Sequence, residues 1–439
     1  GTFDFQKAQF HVSITENVSD ISTVNFGLQE STGIVYFSEF SIQVGQFMPK
    51  PDVPSGFVCE YTNVVKRRPQ MRGVMSPSKY VENDLSDLRS WNASLIRWQI
   101  NGGDNEKDFL GWLDGKIEEL ELALKENEEK KLGINFVVDF HSCPGGRNFG
   151  GECAIGFEEE KAQIYFESWR RIVNKVKGRN GVWAYDLFNE PVQKMVMNEG
   201  RDYLSIQIEA AKIIRNIDSK TPIIIESAEY DGINAFKYLP PIDMKDIIYE
   251  VHMYLPHAYT HQNVNNGGWT EDALRSYPGL IDGKMYNRDV LEELMMPTIE
   301  FQKKYKARIF LGEFSAVRWA DGADIYIEDV INIAEKYKWD WTYHAYREWP
   351  GWSVEHVEDH TKVSVANYTT KRKAVLLKYF ERNSFNDIDN VTSNKKKLTG
   401  GQIAGIVIGV LLAVAVIAVV VIIIIKKKNN DLNFSLLHN

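Results

Sequence analysis

The chain has 439 residues, with 51 Lys or Arg against 60 Asp or Glu, so its formal net charge is −9. This acidic balance argues against a nucleic-acid-binding protein, which normally carries a basic surface. Hydrophobic residues make up 44% and charged residues 25%, which indicates a folded globular chain rather than a disordered one. With 3 Cys, the chain is limited to one disulfide and cannot be a disulfide-framework protein.

Residues 1–65 are predicted to form a small β-rich extension of short strands and turns. Residues 34–44 are rich in aromatic and β-branched side chains, and prolines cluster between Met48 and Pro54. Two interpretations stay open. We favour a hairpin or extension that closes the bottom of a barrel, and the alternative is the remnant of a β-sandwich.

From Arg72 onward, apolar strand-like segments alternate with helical ones. The predicted strands are 71–75, 94–98, 135–140, 182–188, 222–226, 247–251, 308–312 and 340–345. The predicted helices are 81–91, 109–131, 158–177, 203–216, 234–238, 291–305, 324–338 and 371–380. This alternation predicts an α/β fold, a (β/α)8 TIM barrel over residues 66–383. An open doubly wound sheet is disfavoured because the first strand-to-helix turn has no glycine-rich phosphate loop.

The carboxyl-terminal region is predicted to hold a polar stalk (384–402), a transmembrane helix (403–425) and a short tail (426–439). Residues 403–425 carry no charged or polar side chain. At about 1.5 Å per residue this segment is long enough for a hydrocarbon core of about 30 Å. We therefore expect the lipid bilayer as a partner.

Lysines flank the apolar segment on both sides, so the positive-inside rule does not fix its orientation. The large domain before the segment favours a single-pass protein at the cell surface. This large domain would be extracellular or lumenal and the tail cytoplasmic, on the premise that a signal peptide has been removed. Gly401, Gly405 and Gly409 have the four-residue spacing that permits a homodimer through close helix pairing, although such glycines are also simply tolerated in lipid.

Polar and aromatic side chains gather at the carboxyl ends of the predicted strands, where a parallel barrel places catalytic groups. These residues are Arg97, His141, Asn189, Glu190, His252, Tyr254, Glu313, His344, Trp349 and Trp352. Glu190 and Glu313 follow the fourth and seventh strands and would face each other across the mouth. A pair of carboxylates about 5–5.5 Å apart suits glycosidic bond cleavage with retention of configuration.

The arrangement includes Asn189-Glu190-Pro191, His252 with Tyr254, and Glu313 after Leu311-Gly312. It resembles glycoside hydrolase family 5, the cellulase-type members of a retaining (β/α)8 clan. The resemblance implies that Glu190 is the general acid/base and Glu313 the nucleophile, with no metal and no cofactor. It also implies that Asn189 binds the sugar 2-hydroxyl.

The resemblance gives the remaining strand-end groups supporting roles. Arg97 and Tyr254 would keep Glu313 ionised and oriented, and His141 and His252 would hydrogen-bond the sugar and the catalytic carboxylates. One position departs from the family, because His344 stands where an aromatic platform, a Trp, is expected after the eighth strand. Trp349 or Trp352 would then serve as the platform.

The loop that begins at His141 resembles the corresponding loop of the family's exo-acting β-1,3-glucanase branch. Cys143 and Cys153 bracket this loop and would form a disulfide in an oxidising compartment, which would leave Cys59 as the odd thiol. Free thiols or a metal pair are the alternative. Trp269 is either a further sugar subsite or a packed loop anchor.

The predicted function is hydrolysis of a β-1,4- or β-1,3-linked glucan, with an oligo- or polysaccharide as substrate and no nucleic acid as partner. Two alternatives stay open. One is a glycosidase that acts on β-mannan or on glycosphingolipids, and the other is a surface carbohydrate-binding protein without turnover.

Overall fold

The computed structural model describes residues 55–59, 69–148, 150–193, 201–264 and 269–385. Eight parallel strands of this part close into a barrel in the order β1-β8-β7-β6-β5-β4-β3-β2, with β2 returning to β1. They are β1 Arg72–Met75, β2 Leu95–Gln99, β3 Asn135–Asp139, β4 Val182–Asp186, β5 Ile223–Glu226, β6 Ile247–Met253, β7 Arg308–Phe314 and β8 Asp340–Tyr343. The predicted (β/α)8 barrel is confirmed.

The main helices follow the strands and pack outside them. They are α1 Asp84–Ser90, α2 Phe109–Glu129, α3 Glu159–Val176, α4 Tyr203–Ile217, α5 Arg288–Leu294, α6 Met296–Tyr305, α7 Ala323–Tyr337 and α8 Lys371–Phe380. Shorter helical turns are Ala154–Gly156, Ala228–Asp231, Ile233–Lys237, His257–Thr260 and Glu271–Ala273. Asp108, Asp202 and Thr370 cap their helices by accepting a hydrogen bond from a backbone N–H of the first turn.

The predicted outer layer was wrong at one helix and lacked one hairpin. The single helix expected over 291–305 is divided at Met295 into α5 and α6, and Pro297 lies in the first turn of α6, where its missing N–H is tolerated. A two-stranded antiparallel hairpin, Gly279–Ile281 with Lys284–Tyr286, was not predicted. Its strands are three residues each, too short for a two-residue period to be visible.

The barrel interior consists of an apolar layer below an ionic one. Residues of the apolar layer include Leu95, Val137, Ile224 and Ile248, which form one buried cluster. Two positions further along the same strands lie Arg97, Asp139, Glu226 and Glu250, all at most 1% exposed. Because side chains alternate across a strand, residues two apart share the inward face, so the ionic layer lies directly beneath the carboxyl-terminal mouth.

Gly312 makes room for this ionic layer. A Cβ at this position would lie 1.4 Å from Oε1 of Glu250, so any side chain would displace that carboxylate. The absence of a side chain at position 312 thus leaves room for the Glu250 carboxylate inside the barrel.

Several predictions lie outside the described residues, among them the apolar segment 403–425, the tail, and most of the stalk and of the amino-terminal extension. Among the residues that the structure describes, no helix is long and apolar enough to span a membrane.

Candidate active site

Arg97 lies at the centre of the ionic layer and is fully buried. Its guanidinium lies 2.7–3.3 Å from the carboxylates of Glu313, Asp186, Glu226, Glu250 and Asp139. Burial alone would lower the pKa of Arg97, but the surrounding acidic groups hold it well above its ordinary value. A single permanent cation therefore compensates several buried acids.

The carboxylate of Glu313 is held by one donor at each oxygen. Oε1 accepts a hydrogen bond from Arg97 at 2.7 Å, and Oε2 accepts one from the Tyr254 hydroxyl at 2.8 Å. Burial raises the pKa of Glu313, but His252, His344 and Arg97 outweigh it, and the net result is a lowered pKa. This carboxylate is therefore ionised and fixed in orientation, as an attacking group requires.

Glu190 follows β4 in a left-handed backbone conformation, with φ of 47°, which is uncommon for a residue with a side chain. Its N–H donates to Oε2 of Glu226 at 2.6 Å, and its carbonyl accepts a hydrogen bond from Arg147 at 2.9 Å. The side chain is 28% exposed, whereas that of Glu313 is 4% exposed. Glu190 thus faces the open mouth, held from both sides of its backbone.

His252 links Glu190 to the ionic layer. Its Nδ1 lies 3.1 Å from Oε1 of Glu190, and its Nε2 lies 3.2 Å from Oε1 of Glu250. Burial would lower the pKa of His252, but Glu313, Glu190 and Glu250 raise it well above its ordinary value. His252 therefore adds a second positive charge between the two facing glutamates.

Asn189 and His141 lie beside this pair. The Asn189 side chain accepts a hydrogen bond from Arg97 at 3.0 Å, and its amide nitrogen lies 3.3 Å from Nε2 of His141. Nδ1 of His141 lies 2.9 Å from Asp139. His141 thus contacts Asn189 and the ionic layer, rather than a carboxylate of Glu190 or Glu313.

His344 lies just beyond the end of β8, between Tyr254 and Glu348. Its Nδ1 contacts the Tyr254 hydroxyl and lies 3.5 Å from Oε2 of Glu313, and its Nε2 lies 2.8 Å from Oε2 of Glu348. Trp352 is 8% exposed and packs against the His344 ring at 5.9 Å between centroids. At the position of the expected platform there is consequently an imidazole, backed by a buried indole.

An aromatic row leads from Tyr254 to the protein surface. Consecutive ring centroids lie 5.3–6.2 Å apart along Tyr254, Trp352, Trp349, Trp319 and Trp269. Trp349 and Trp269 are 39% and 36% exposed, and Trp269 stacks on His360 at 3.4 Å. Flat exposed rings of this kind suit contact with sugar faces, and Trp269 also fits the packed-anchor interpretation.

Oxygens of Glu190 and Glu313 lie within 4.8 Å of each other, and a nitrogen of His252 lies within the same distance of both. This trio is close enough to share a metal ion, as are two trios below it, Glu226-Asp231-His252 and Asp186-Glu226-Glu250. Arg97 already pairs with a carboxylate of each trio, Glu313 in the first and Glu226 in the other two.

A disulfide joins Cys143 and Cys153, and Cys59 is a buried free thiol. The bridge closes the loop that carries Arg147. Arg147 donates to the carbonyls of Asn189 at 2.6 Å and Glu190 at 2.9 Å. The bridged loop therefore buttresses the backbone that presents Glu190.

The structure brings eight of the predicted site residues into one contact network, with Trp352 packed behind it and Trp349 further out in the aromatic row. The prediction gave no role to the buried acids Asp139, Asp186, Glu226 and Glu250, nor to Glu348 and Arg147. The acids leave a signal in the sequence, because each is a single charge two positions after an apolar inward residue of a strand. Glu348 leaves none, since its contact depends on the path of the loop after β8.

Comparison with known proteins identifies the family of this chain. A profile of the cellulase family, glycosyl hydrolase family 5, matches residues 72–349, more than half of the chain. Endoglucanase C of Acetivibrio thermocellus is 27% identical over 270 residues, which cover 55% of this chain and 74% of that protein. Cellodextrinase A of Ruminococcus flavefaciens is 22% identical over 267 residues, 59% of this chain and 72% of that protein.

Solved structures share the fold. Thermotoga maritima Cel5A in complex with cellobiose has a TM-score of 0.56 at 22% identity, covering 74% of this chain and 99% of that chain. The same enzyme in complex with mannotriose has a TM-score of 0.54 at 23% identity, covering 71% and 97%. The barrel, its facing glutamates and the extent of the family match lead to one conclusion: the chain belongs to the cellulase family, glycosyl hydrolase family 5, and is a glycosidase that hydrolyses O-glycosyl compounds.

Proposed function

We propose that the chain hydrolyses a β-linked glucan by double displacement, with Glu190 as general acid/base and Glu313 as nucleophile. The observation that carries the proposal is the approach of their carboxylate oxygens to within 4.8 Å. A retaining pair lies about 5–5.5 Å apart, whereas an inverting pair needs about 6.5–9.5 Å to admit a water molecule. The short separation therefore favours direct attack by one carboxylate.

In the first step Glu313 attacks the anomeric carbon and Glu190 gives its proton to the departing glycosidic oxygen, so a glycosyl ester forms as that bond breaks. In the second step Glu190 takes a proton from water, whose oxygen attacks the anomeric carbon and releases Glu313. The surroundings fit these roles. Glu313 is buried among cations that keep it ionised, and Glu190 is open to substrate and solvent.

A β-1,4- or β-1,3-linked glucan is the proposed substrate. Relatives of this chain are named endoglucanase and cellodextrinase, and the exposed rings of Trp349 and Trp269 offer apolar faces for neutral sugars. Glycosidases of β-mannan or glycosphingolipids are alternatives with the same chemistry. A binding-only protein would have no need of an ionised, doubly anchored Glu313 facing a second carboxylate.

The test combines variants with product analysis. Glu313→Ala should abolish sugar release from glucans, and Glu190→Ala should be partly rescued by azide with formation of the β-glycosyl azide. Glu328→Ala, which removes a carboxylate from the outer helix α7, is the control and should retain activity. Normal hydrolysis by Glu313→Ala, or an inverted first product in NMR, would refute the assignment. A panel of glucans, mannans and glycolipids identifies the substrate.

We also propose that residues 403–425 anchor the enzyme in a membrane, with the barrel at the cell surface. The uncharged apolar sequence supports this proposal, as does the disulfide, since such bonds persist in oxidising compartments. Release from membranes by alkaline carbonate would contradict it. Crosslinking of a Gly405→Ile variant against the original chain tests a homodimer through the glycine face.

A further inference from the structure

Four polar groups form a continuous chain that ends on the proposed nucleophile. Glu348 Oε2 lies 2.8 Å from Nε2 of His344, Nδ1 of His344 contacts the Tyr254 hydroxyl, and this hydroxyl lies 2.8 Å from Oε2 of Glu313. The members come from the loop after β8, the segment after β6, and β7. Neither Glu348 nor His344 has been given a function above.

The number of available protons determines the protonation state of His344 in this chain of hydrogen bonds. The Tyr254 hydroxyl has one proton, and it contacts two groups that are both able to accept it. If that proton goes to Glu313, the hydroxyl oxygen accepts from Nδ1 of His344, which must then carry a hydrogen. Nε2 faces a carboxylate and must also carry one. An imidazole with hydrogen at both nitrogens is the imidazolium.

A neutral His344 would give a different pattern. With its one hydrogen on Nε2 for Glu348, its Nδ1 would accept the Tyr254 proton, and Oε2 of Glu313 would lose its hydroxyl donor. Nδ1 of His252 is 3.9 Å from that oxygen, too far to replace the donor. The protonation state of His344 thus determines whether Glu313 is held at one oxygen or at both.

The charges around His344 favour the imidazolium. Burial lowers the pKa of His344, but Glu313, Glu348 and Glu190 raise it, and the net result is above its ordinary value. Burial raises the pKa of Glu348, but His344 and His141 bring the net result below its ordinary value. The titratable or charged groups facing this pair are Glu313, Tyr254, Glu190, His141 and His261.

We infer that Glu348 is a positioning residue, which keeps His344 doubly protonated so that Tyr254 donates its only proton to Glu313. The inference rests on the proposed role of Glu313 as nucleophile. It gives a function to His344, which stands where the family is expected to have a Trp. An imidazolium paired with Glu348 orients the nucleophile electrostatically. An indole at that position could stack and donate one hydrogen bond, but it could not carry a positive charge.

The experiment isolates the attack step. An activated 2-deoxy-2-fluoro-β-cellobioside with a dinitrophenolate leaving group traps the glycosyl-enzyme, and this leaving group needs no proton from Glu190. The trapping rate measured against pH therefore reports on the nucleophile and its neighbours. Glu348→Gln keeps a polar side chain of the same size but removes the charge, and Glu355→Gln is the matched control. Glu355 lies in the same loop and pairs with Arg347 instead.

Glu348→Gln should trap at nearly the original rate under acid conditions, and its alkaline limb should move down by about one pH unit, which is about a tenfold slower rate on that limb. Glu355→Gln should follow the original profile. A Glu348→Gln profile that coincides with the original would overturn the inference. Absence of trapping at Glu313 in the unaltered enzyme would instead overturn the proposed function.

A second measurement does not depend on the folding of Glu348→Gln. Nitrogen NMR of the unaltered enzyme with labelled His should show both ring nitrogens of His344 protonated at neutral pH, with His344→Gln providing the assignment. A neutral His344 at that pH would refute the inference, even if Glu348→Gln failed to fold.

Discussion

Replacing Arg97 with Met tests how far the barrel depends on one buried cation. The guanidinium lies within 3.3 Å of five carboxylates, and Met fills much of the volume without the charge. Asp186 and Glu250 already have pKa values raised by burial and lowered by Arg97. Without Arg97 the folded protein must take up at least one further proton.

The expected magnitude follows from these contacts. Removing one partner of a buried ion pair destabilises a protein by about 3–5 kcal/mol, which we expect for Arg97→Met near pH 5. Unfolded carboxylates have pKa values of about 4, so the additional proton is bound only by the folded variant above that pH. Each further pH unit then adds about 1.4 kcal/mol of destabilisation. By pH 8 the loss would approach the whole stability of a typical domain, about 5–15 kcal/mol.

Urea unfolding followed by Trp fluorescence, repeated from pH 5 to pH 8, measures the effect. Arg308→Met is the matched control, because Arg308 is also buried and lies 2.6 Å from Asp340 at the opposite end of the barrel. Its partner Asp340 is not one of the five carboxylates around Arg97, so the destabilisation caused by Arg308→Met should depend less on pH. If the stability loss of Arg97→Met were the same at both pH values, the reasoning about shared buried protons would be wrong.

Two further predictions concern the buried acids Glu226 and Asp231. Glu226→Gln should lower kcat by about 10- to 100-fold with little change in KM, because its one amide oxygen cannot accept hydrogen bonds from both Arg97 and the N–H of Glu190. Steady-state kinetics measure this effect, and an unchanged Tm shows that the variant is folded. A normal kcat would contradict the prediction. Burial raises the pKa of Asp231 from 3.8 to about 8. The folded protein therefore holds this proton more tightly than the unfolded chain, and the stabilisation that results is lost as the pH rises through that range. Asp231→Asn keeps the acceptor for Ser227. Its stability relative to that of the original protein should therefore rise by up to about 1.4 kcal/mol per pH unit between pH 4 and pH 8. A stability difference between the two proteins that is the same at pH 4 and pH 8 would rule this out.

The barrel was predictable because its strands are short apolar runs separated by long helical patterns. The prediction for 371–380 matches α8 in both bounds. Strand ends were less certain, since β8 stops at Tyr343 and leaves His344 in the following loop. In a parallel barrel all carboxyl ends meet at one face, so Glu190 and Glu313 were expected at the same mouth despite their distance along the chain.

The remainder of the site depends on contacts that no local pattern encodes. The left-handed backbone of Glu190 and its support by Glu226 arise where β4 and β5 meet. The pairing of Glu348 with His344 depends on a turn of the loop after β8. An isolated acid in an apolar strand indicates an unusual interior, but its partners are known only once the barrel closes.

The bridged loop that carries Arg147 links the maturation of the enzyme to its chemistry. The barrel closes through backbone pairing of β1 to β8, and the Cys143–Cys153 bond lies outside these strands, whereas the backbone of Glu190 is held by a side chain of the bridged loop. We therefore expect a chain produced in a reducing host to form the barrel but to hold the backbone of Glu190, the proposed acid/base, less firmly. Oxidative refolding, or production in a secretory host, should consequently yield an enzyme that is catalytically active as well as folded.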